Sequence, residues 1–403
     1  MKKSLAEHLE IAVLFLIQGA AMGMWFVPLG NVLDAHGLHG IKSFAFATSA
    51  VAAFISPLFF GAMADRHTSP VKVLRGLSIA TALAMALASY AIANGWNPSL
   101  ILGIILLHAL CSTPTWSLAS TICFARLTDA KRQFGPIRAV ATMGWMTGCW
   151  GVSLLNADAS PHAGYIGAVT WLAVASFTFV LPAMDPPAPN GSLTLRERFG
   201  FDALSLFKNR DHRVVFITAT LFNIPLAAFY PCTPQQLNGL GFTHTTAWMT
   251  LGQITEIIAM FALAGLLTRW RLKWVIATGL AFGVLRFALC AIDEAAWVLI
   301  SITLHGVSYT LVYITAQIYL DERVSAQWRA RAQALFTLVV GGVGSLVGYI
   351  GTGAWLAANT GTTGTRWGFF WGGLSLLTAA VLIFFLCSYR GRSAEKAATI
   401  PAP

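Results

Sequence analysis

The run AWMTLGQITEIIAMFALAGLL, Ala247 to Leu267, carries one charge, Glu256, in a stretch otherwise built of apolar, small and uncharged polar residues. About 20 such residues cross the ~30 Å hydrocarbon core of a bilayer as an α-helix. A carboxylate in that setting is costly and normally faces a partner, a ligand or a water-filled cavity. Glu256 is the one carboxylate of the chain that cannot be placed near a water-facing end of an apolar segment. The rest of the sequence reads as a scaffold around the cavity it implies.

Outward from this run, the composition repeats its message. Of 403 residues 56% are hydrophobic and 10% charged, with 14 Trp and 26 Phe, and the mean hydropathy is +0.67. That is more apolar surface than one water-soluble core needs, so the excess must face lipid. Apolar segments of spanning length recur near 9–33, 43–64, 72–93, 99–123, 136–155, 162–184, 213–237, 247–268, 273–292, 296–320, 330–356 and 365–388. They predict an all-α membrane protein with twelve transmembrane helices. All but four of the 26 Lys and Arg fall before the first segment, in alternate connections, or after the last; Lys42 and Arg366 lie on the opposite side, and Arg138 and Arg286 lie within segments. The positive-inside rule then places both termini in the cytoplasm. The net charge of +10 is accounted for by topology and gives no reason to expect nucleic acid as a partner. The six cysteines show no CxxC spacing and read as small core residues, with no metal and no cofactor expected. The first segment is too long for a cleaved signal peptide and is expected to stay in the protein.

In chain order, segment 1 carries Gln18 and Trp25, seven residues apart and so on one face, where they are candidates to look into a central cavity. Gly19, Gly23 and Gly30 supply small faces for helix contact. His108 in segment 4 reads as structural. In segment 5, Arg138, Thr142 and Trp145 fall at i, i+4 and i+7 and form one stripe. A cation, a hydroxyl and an aromatic plane line a polar site better than they face lipid, although Arg138 stands one turn from the cytoplasmic interface, where snorkelling also explains it. Residues 185–212 begin with a Pro-rich break, Asp185 to Ser192, and continue as a charged linker. Within it Phe201 to Asn209 looks amphipathic and ready to dock on a bundle. Segment 7 has Pro231 and Pro234 near its outer end, which predicts a kinked or broken helix, and also carries Tyr230. Segment 8 places Gln253 and Glu256 at i and i+3 on one face. Arg286 in segment 9 is a candidate counter-charge for Glu256. Segment 10 presents His305, Tyr309 and Tyr313 at i, i+4 and i+8, and segment 11 contains Gly341, Gly342, Gly344 and Gly348, read as close packing or a flexible gate.

The stretch Gly61-Ala62-Met63-Ala64-Asp65-Arg66, followed by Lys72 and Arg75, resembles the signature between helices 2 and 3 of the major facilitator superfamily. With twelve segments and a long basic connection midway, the resemblance implies that superfamily's fold. Residues 1–184 and 213–390 would be two six-helix bundles, 185–212 a cytoplasmic linker, and 391–403 a cytoplasmic tail. It also implies that Gly61, Asp65 and Arg66 act as a conformational latch.

Further local runs resemble one subfamily, the bacterial nucleoside:proton symporters: Met24-Trp25 before Leu29-Gly30, Pro136-Ile137-Arg138 with Thr142 and Gly144, Leu204 to Asn209, Gln253-Ile254 with Glu256, and Leu285 to Leu289. The resemblance implies a monomeric transporter in the cell inner membrane that takes up nucleosides with protons by alternating access. In it, substrate is held between the two halves by positions matching Arg138, Thr142, Trp145, Gln253 and Glu256. The family's polar pair on helix 7 aligns with Ala227 and Tyr230, and its Tyr, Phe, Asp set on helix 10 with His305, Tyr309 and Thr310. Thr310 does not titrate, so proton coupling is expected to fall to Glu256, with His305 as a second candidate. Burial and a nearby arginine pull the charge of Glu256 in opposite directions, and its resting state is left open.

Other readings are weaker. A mono- or oligosaccharide transporter, not necessarily proton-coupled, would use the same side chains. An intramembrane enzyme has no support, since HExxH, GxSxG and P-loop motifs are absent from the sequence. A non-transporting sensor on the same fold would bind its ligand without moving it.

Overall fold

The computed structural model describes residues 2–64, 68–127, 130–182 and 201–391. The helices are α1 (Lys2–Phe26), α2 (Leu29–Ala35), α3 (Lys42–Ala64), α4 (Pro70–Ala93), α5 (Pro98–Arg126), α6 (Ala130–Leu154) and α7 (His162–Phe177). There follow α8 (Arg210–Leu226), α9 (Phe229–Gly239), α10 (Thr245–Trp248), α11 (Leu251–Arg269), α12 (Leu272–Cys290) and α13 (Ala295–Tyr309). The last are α14 (Thr315–Arg323), α15 (Ala326–Phe336), α16 (Ser345–Ala358) and α17 (Trp367–Ser388). Among the described residues nine helical stretches are long and apolar enough to cross a membrane. The other three expected segments are the helices α3, α6 and α7. Asp65 and Arg66 of the expected latch lie outside the described residues, and of Gly61 only its place in α3 is described.

The chain divides into two compact units. Unit 1 comprises residues 1–192, 227–253 and 349–354. In it α1 packs on α6 and α7, and α4 on α5 and α7. The α1–α6 contact is a backbone-to-backbone approach made possible by glycine. A Cβ on Gly19 would come within 2.2 Å of the Ala141 carbonyl oxygen, and one on Gly144 within 2.1 Å of that of Leu16. Gly23 and Gly148 face Trp145 and Ala20 in the same way, at 2.5 and 2.3 Å. The expected small-residue face of segment 1 is therefore matched by a second one on α6.

Unit 2 comprises residues 193–226, 254–348 and 355–403. Its core gathers Phe216, Phe222, Leu280, Phe336 and Phe385, with α12 packed on α13 and α17. The linker's amphipathic stretch forms a 3₁₀ helix, Phe201–Lys208, that buries Ala203 and Leu206 in this core, as its pattern predicts. Two helices widen into π turns, at Thr310–Ile314 and Thr337–Gly344, and in the second the Asn223 amide donates to the Val340 carbonyl at 2.9 Å. Such turns displace backbone groups from the regular ladder and leave them for side chains to satisfy.

Two chain breaks position the candidate site. The helix of segment 1 stops at Phe26 before Pro28, and that of segment 7 stops at Leu226 and restarts at Phe229. Pro231 cannot donate a backbone N–H to Ala227, so the ladder is interrupted there. A kinked or broken segment 7 is what its prolines predict.

Candidate functional site

In unit 1 Trp145, the last residue of the α6 stripe that begins with Arg138 and Thr142, meets the ends of the two interrupted helices. Phe26, the last residue of α1, has its ring 6.0 Å from that of Trp145, 5.2 Å from Tyr230 and 5.2 Å from Phe46. Tyr230, one residue into α9, lies 6.0 Å from Trp145. Together the three rings of Phe26, Trp145 and Tyr230 make an aromatic cage. Gln253 on α11 is buried and donates from Nε2 to the Tyr230 hydroxyl at 3.0 Å. Two buried polar atoms of the cage have no hydrogen-bond partner among the described residues: the Trp145 indole nitrogen, a donor, and Gln253 Oε1, an acceptor. Buried polar groups are nearly always paired, and an unpaired one costs about 1–3 kcal/mol. A ligand with an acceptor and a donor would relieve both.

Below the cage, Gln18 is fully buried and donates to Thr115 Oγ1 at 3.0 Å, while its own Oε1 has no partner among the described residues. The Arg138 guanidinium lies 4.5 Å over the ring of Trp116, which meets Phe15 edge-on at 5.5 Å. Arg138 is exposed in the structure and Thr142 buried beside it. Trp25 is turned elsewhere. It packs 5.4 Å from His108 and fills the space that a side chain on Gly164 would need. The aromatic residue of α1 that reaches the cage is its neighbour Phe26. Helical spacing points to Trp25, which shares the face of Gln18, and one step along a helix turns the side chain by about 100°.

In unit 2, Glu256 is half-buried on α11. Beside it the Thr255 hydroxyl donates to the Thr303 carbonyl at 2.5 Å and ties α11 to α13 two residues before His305. His305 is buried, and its Nδ1 meets Nη1 of Arg286, which is fully buried. A guanidinium only donates, so this contact sets His305 Nδ1 opposite a donor. The rings of His305, Tyr309 and Tyr313 stack in order, 6.1 and 5.0 Å apart, and Tyr313 ends on Phe336 at 5.4 Å. The i, i+4, i+8 spacing thus yields one ladder of planes. The Thr310 hydroxyl is buried without a hydrogen-bond partner among the described residues. No metal-holding group of His, Cys, Asp or Glu occurs among the described residues.

Comparison with known proteins places these residues in context. A family model described as nucleoside H+ symporter matches residues 5–393. YegT of Escherichia coli (strain K12) is 34% identical over 355 residues, covering 84% of this chain and 82% of that protein. The nucleoside permease NupG of the same organism is 25% identical over 388 residues, covering 90% and 91%. A crystal structure of the nucleoside transporter NupG superposes with a TM-score of 0.84 over 95% of this chain and 99% of that one, at 23% identity. That likeness concerns the fold, which is of the major facilitator type.

Proposed function

The chain belongs to the nucleoside H+ symporter family, and from that membership we propose that it takes up nucleosides together with protons by alternating access. It is a multi-pass transporter of the cell inner membrane and not an enzyme. The reading includes twelve spans with both termini in the cytoplasm, bundles at 1–184 and 213–390 joined by a linker at 185–212, and a monomer as the working unit.

The observation that carries the substrate assignment is the cage of Phe26, Trp145 and Tyr230 with two atoms that lack a partner among the described residues, the Trp145 indole N–H and Gln253 Oε1. A nucleoside has a flat base to stack on the indole and a mixture of donors and acceptors for both atoms. In this reading Trp145 stacks on the base. Arg138 and Thr142 supply donors along the same stripe. Gln253 and Glu256 bind the vicinal hydroxyls of the ribose. Tyr230 orients Gln253, Gln18 and Trp25 support α1 behind the cage, and His305 and Tyr309 offer further planes. Proton coupling is assigned to Glu256. His305, in contact with Arg286, is the second coupling candidate.

The test is uptake of radiolabelled uridine into proteoliposomes, with and without an inward proton gradient, by the native protein and by Glu256→Gln. The expected result is gradient-driven accumulation by the native protein, and exchange without accumulation by the variant. Uridine that neither enters nor competes with another solute would end the nucleoside assignment, and competition by sugars instead would replace it.

A further inference from the structure

The first turn of α10 has no cap of its own. Its N-cap residue is His244, held at φ 56°, whose side chain makes no bond to the helix. The leading N–H groups of a helix lack intrahelical acceptors and need partners. Here two of them find partners about 90 residues away in the chain. The Thr246 N–H donates to Asp158 Oδ1 at 2.8 Å, and the Ala247 N–H to Ser153 Oγ at 3.0 Å. The Ser153 hydroxyl in turn donates to Asp158 Oδ1 at 2.8 Å, and His244 Nδ1 donates to the Ser153 carbonyl at 2.8 Å. The side-chain oxygens that normally come from the N-cap residue itself are supplied in trans.

Other bonds within unit 1 run parallel to this cap. Trp150 Nε1 donates to Thr250 Oγ1 at 3.0 Å and Asn31 Nδ2 to Thr245 Oγ1 at 2.9 Å. Lys42, only 3% exposed, bridges Asp34 at 2.6 Å and Gln235 at 2.8 Å. All of them tie residues 235–250 to the first half of the chain, and all lie on the non-cytoplasmic side of the topology proposed above. Some of them adjoin the cage in the chain. Ser153 and Trp150 follow Trp145 on α6, and Thr250 precedes Gln253 by three residues.

The chemistry of this junction differs from that between α1 and α6. Glycine-lined backbone contact has no substitute in water, whereas each bond of the trans cap exchanges for a bond to water when the parts separate. A closure that has to open repeatedly is built of the second kind. We propose that Ser153 and Asp158 form a clasp which holds residues 227–253, the segment that supplies Tyr230 and Gln253, against α6 and so closes the aromatic cage toward the outer face, and that its release is the step admitting substrate from outside. The inference rests on the transport reading.

The test uses Cys232 as the reporter. It is a buried residue on α9, in the segment that the clasp holds, and the other five cysteines are replaced by Ser. Intact cells are treated with a membrane-impermeant maleimide and the rate of Cys232 labelling is followed. Losing an N-cap shifts a local equilibrium by about two- to thirtyfold, so Asp158→Ala and Ser153→Ala are each expected to speed labelling by about that factor. Asp158→Asn keeps an acceptor oxygen and is expected to label within about twofold of the parent. Native labelling rates in both alanine variants, with melting temperatures and nucleoside affinity unchanged, would overturn the clasp. Should Asp158→Ala fail to fold, Ser153→Ala, which removes one cap only, decides alone. The readout requires no transport. Faster labelling in a protein that does not move nucleosides upholds the clasp and removes the substrate, and unchanged labelling in a protein that does move them removes the clasp alone.

Discussion

Replacing Trp145 by Phe separates a binding role from a packing role, because the first shows in affinity and the second in stability. Among the described residues the indole N–H has no acceptor, and its ring stands 6.0 Å from those of Phe26 and Tyr230. An unsatisfied buried donor costs about 1–3 kcal/mol, a penalty that Phe removes. Against this, the smaller ring gives up roughly 40 Å² of buried apolar area, about 1 kcal/mol at ~25 cal/mol per Å². The two nearly cancel, so the melting temperature of Trp145→Phe should stay within a few degrees of native. Binding has no such compensation. If a substrate acceptor receives the indole N–H, its loss costs about 0.5–1.5 kcal/mol, roughly two- to twelvefold in Kd. Trp145→Ala loses the stacking plane as well, about 1–3 kcal/mol for a base on an aromatic ring, or roughly five- to 150-fold. Isothermal titration with uridine and a thermal melt in detergent read both quantities on one preparation. Native affinity in Trp145→Phe together with a melting temperature lowered by more than about 5 °C would mean that the indole is core alone, and the cage would lose its ligand.

Two further substitutions test the scaffold around the site. A Cβ at Gly144 meets the Leu16 carbonyl oxygen at 2.1 Å, whereas one at Gly76 meets nothing within 4 Å. Gly144→Ala should therefore destabilise by about 1–3 kcal/mol and Gly76→Ala should be neutral or slightly stabilising, as read by thermal melting. At the other pair, His305→Leu strips a buried guanidinium of an acceptor and should cost about 1.5–3 kcal/mol. His305→Gln keeps an acceptor and should retain proton-driven uptake. Loss of accumulation in His305→Gln at native uridine affinity would move the coupling from Glu256 to His305.

The sequence makes some of these features legible and hides others for one physical reason. Periodicity along a helix states which residues share a face, so the stripe of Arg138, Thr142 and Trp145, the stack of His305, Tyr309 and Tyr313, and the glycines of α1 are all visible in it. It does not state what lies opposite that face. The aromatic residue of α1 at the cage is therefore read one position early, at Trp25, because Trp25 shares the face of Gln18 and Phe26 does not. Arg286 is legible as a charge within a segment, but its contact with His305, 19 residues on, is not. Ser153 and Asp158 carry no signal at all, since they sit at a helix end and in a connection where polar residues need no explanation. Lys42 shows the limit most plainly. A lysine at the start of an outer helix reads as solvated by position alone, and its burial follows only from Asp34, eight residues back, and Gln235, 193 residues on. A buried ammonium is tolerated where a carboxylate and an amide oxygen both reach it, and a partner so distant in the chain leaves no trace in the local pattern. Loss of either oxygen should therefore be felt at Lys42 before it is felt anywhere in the apolar core.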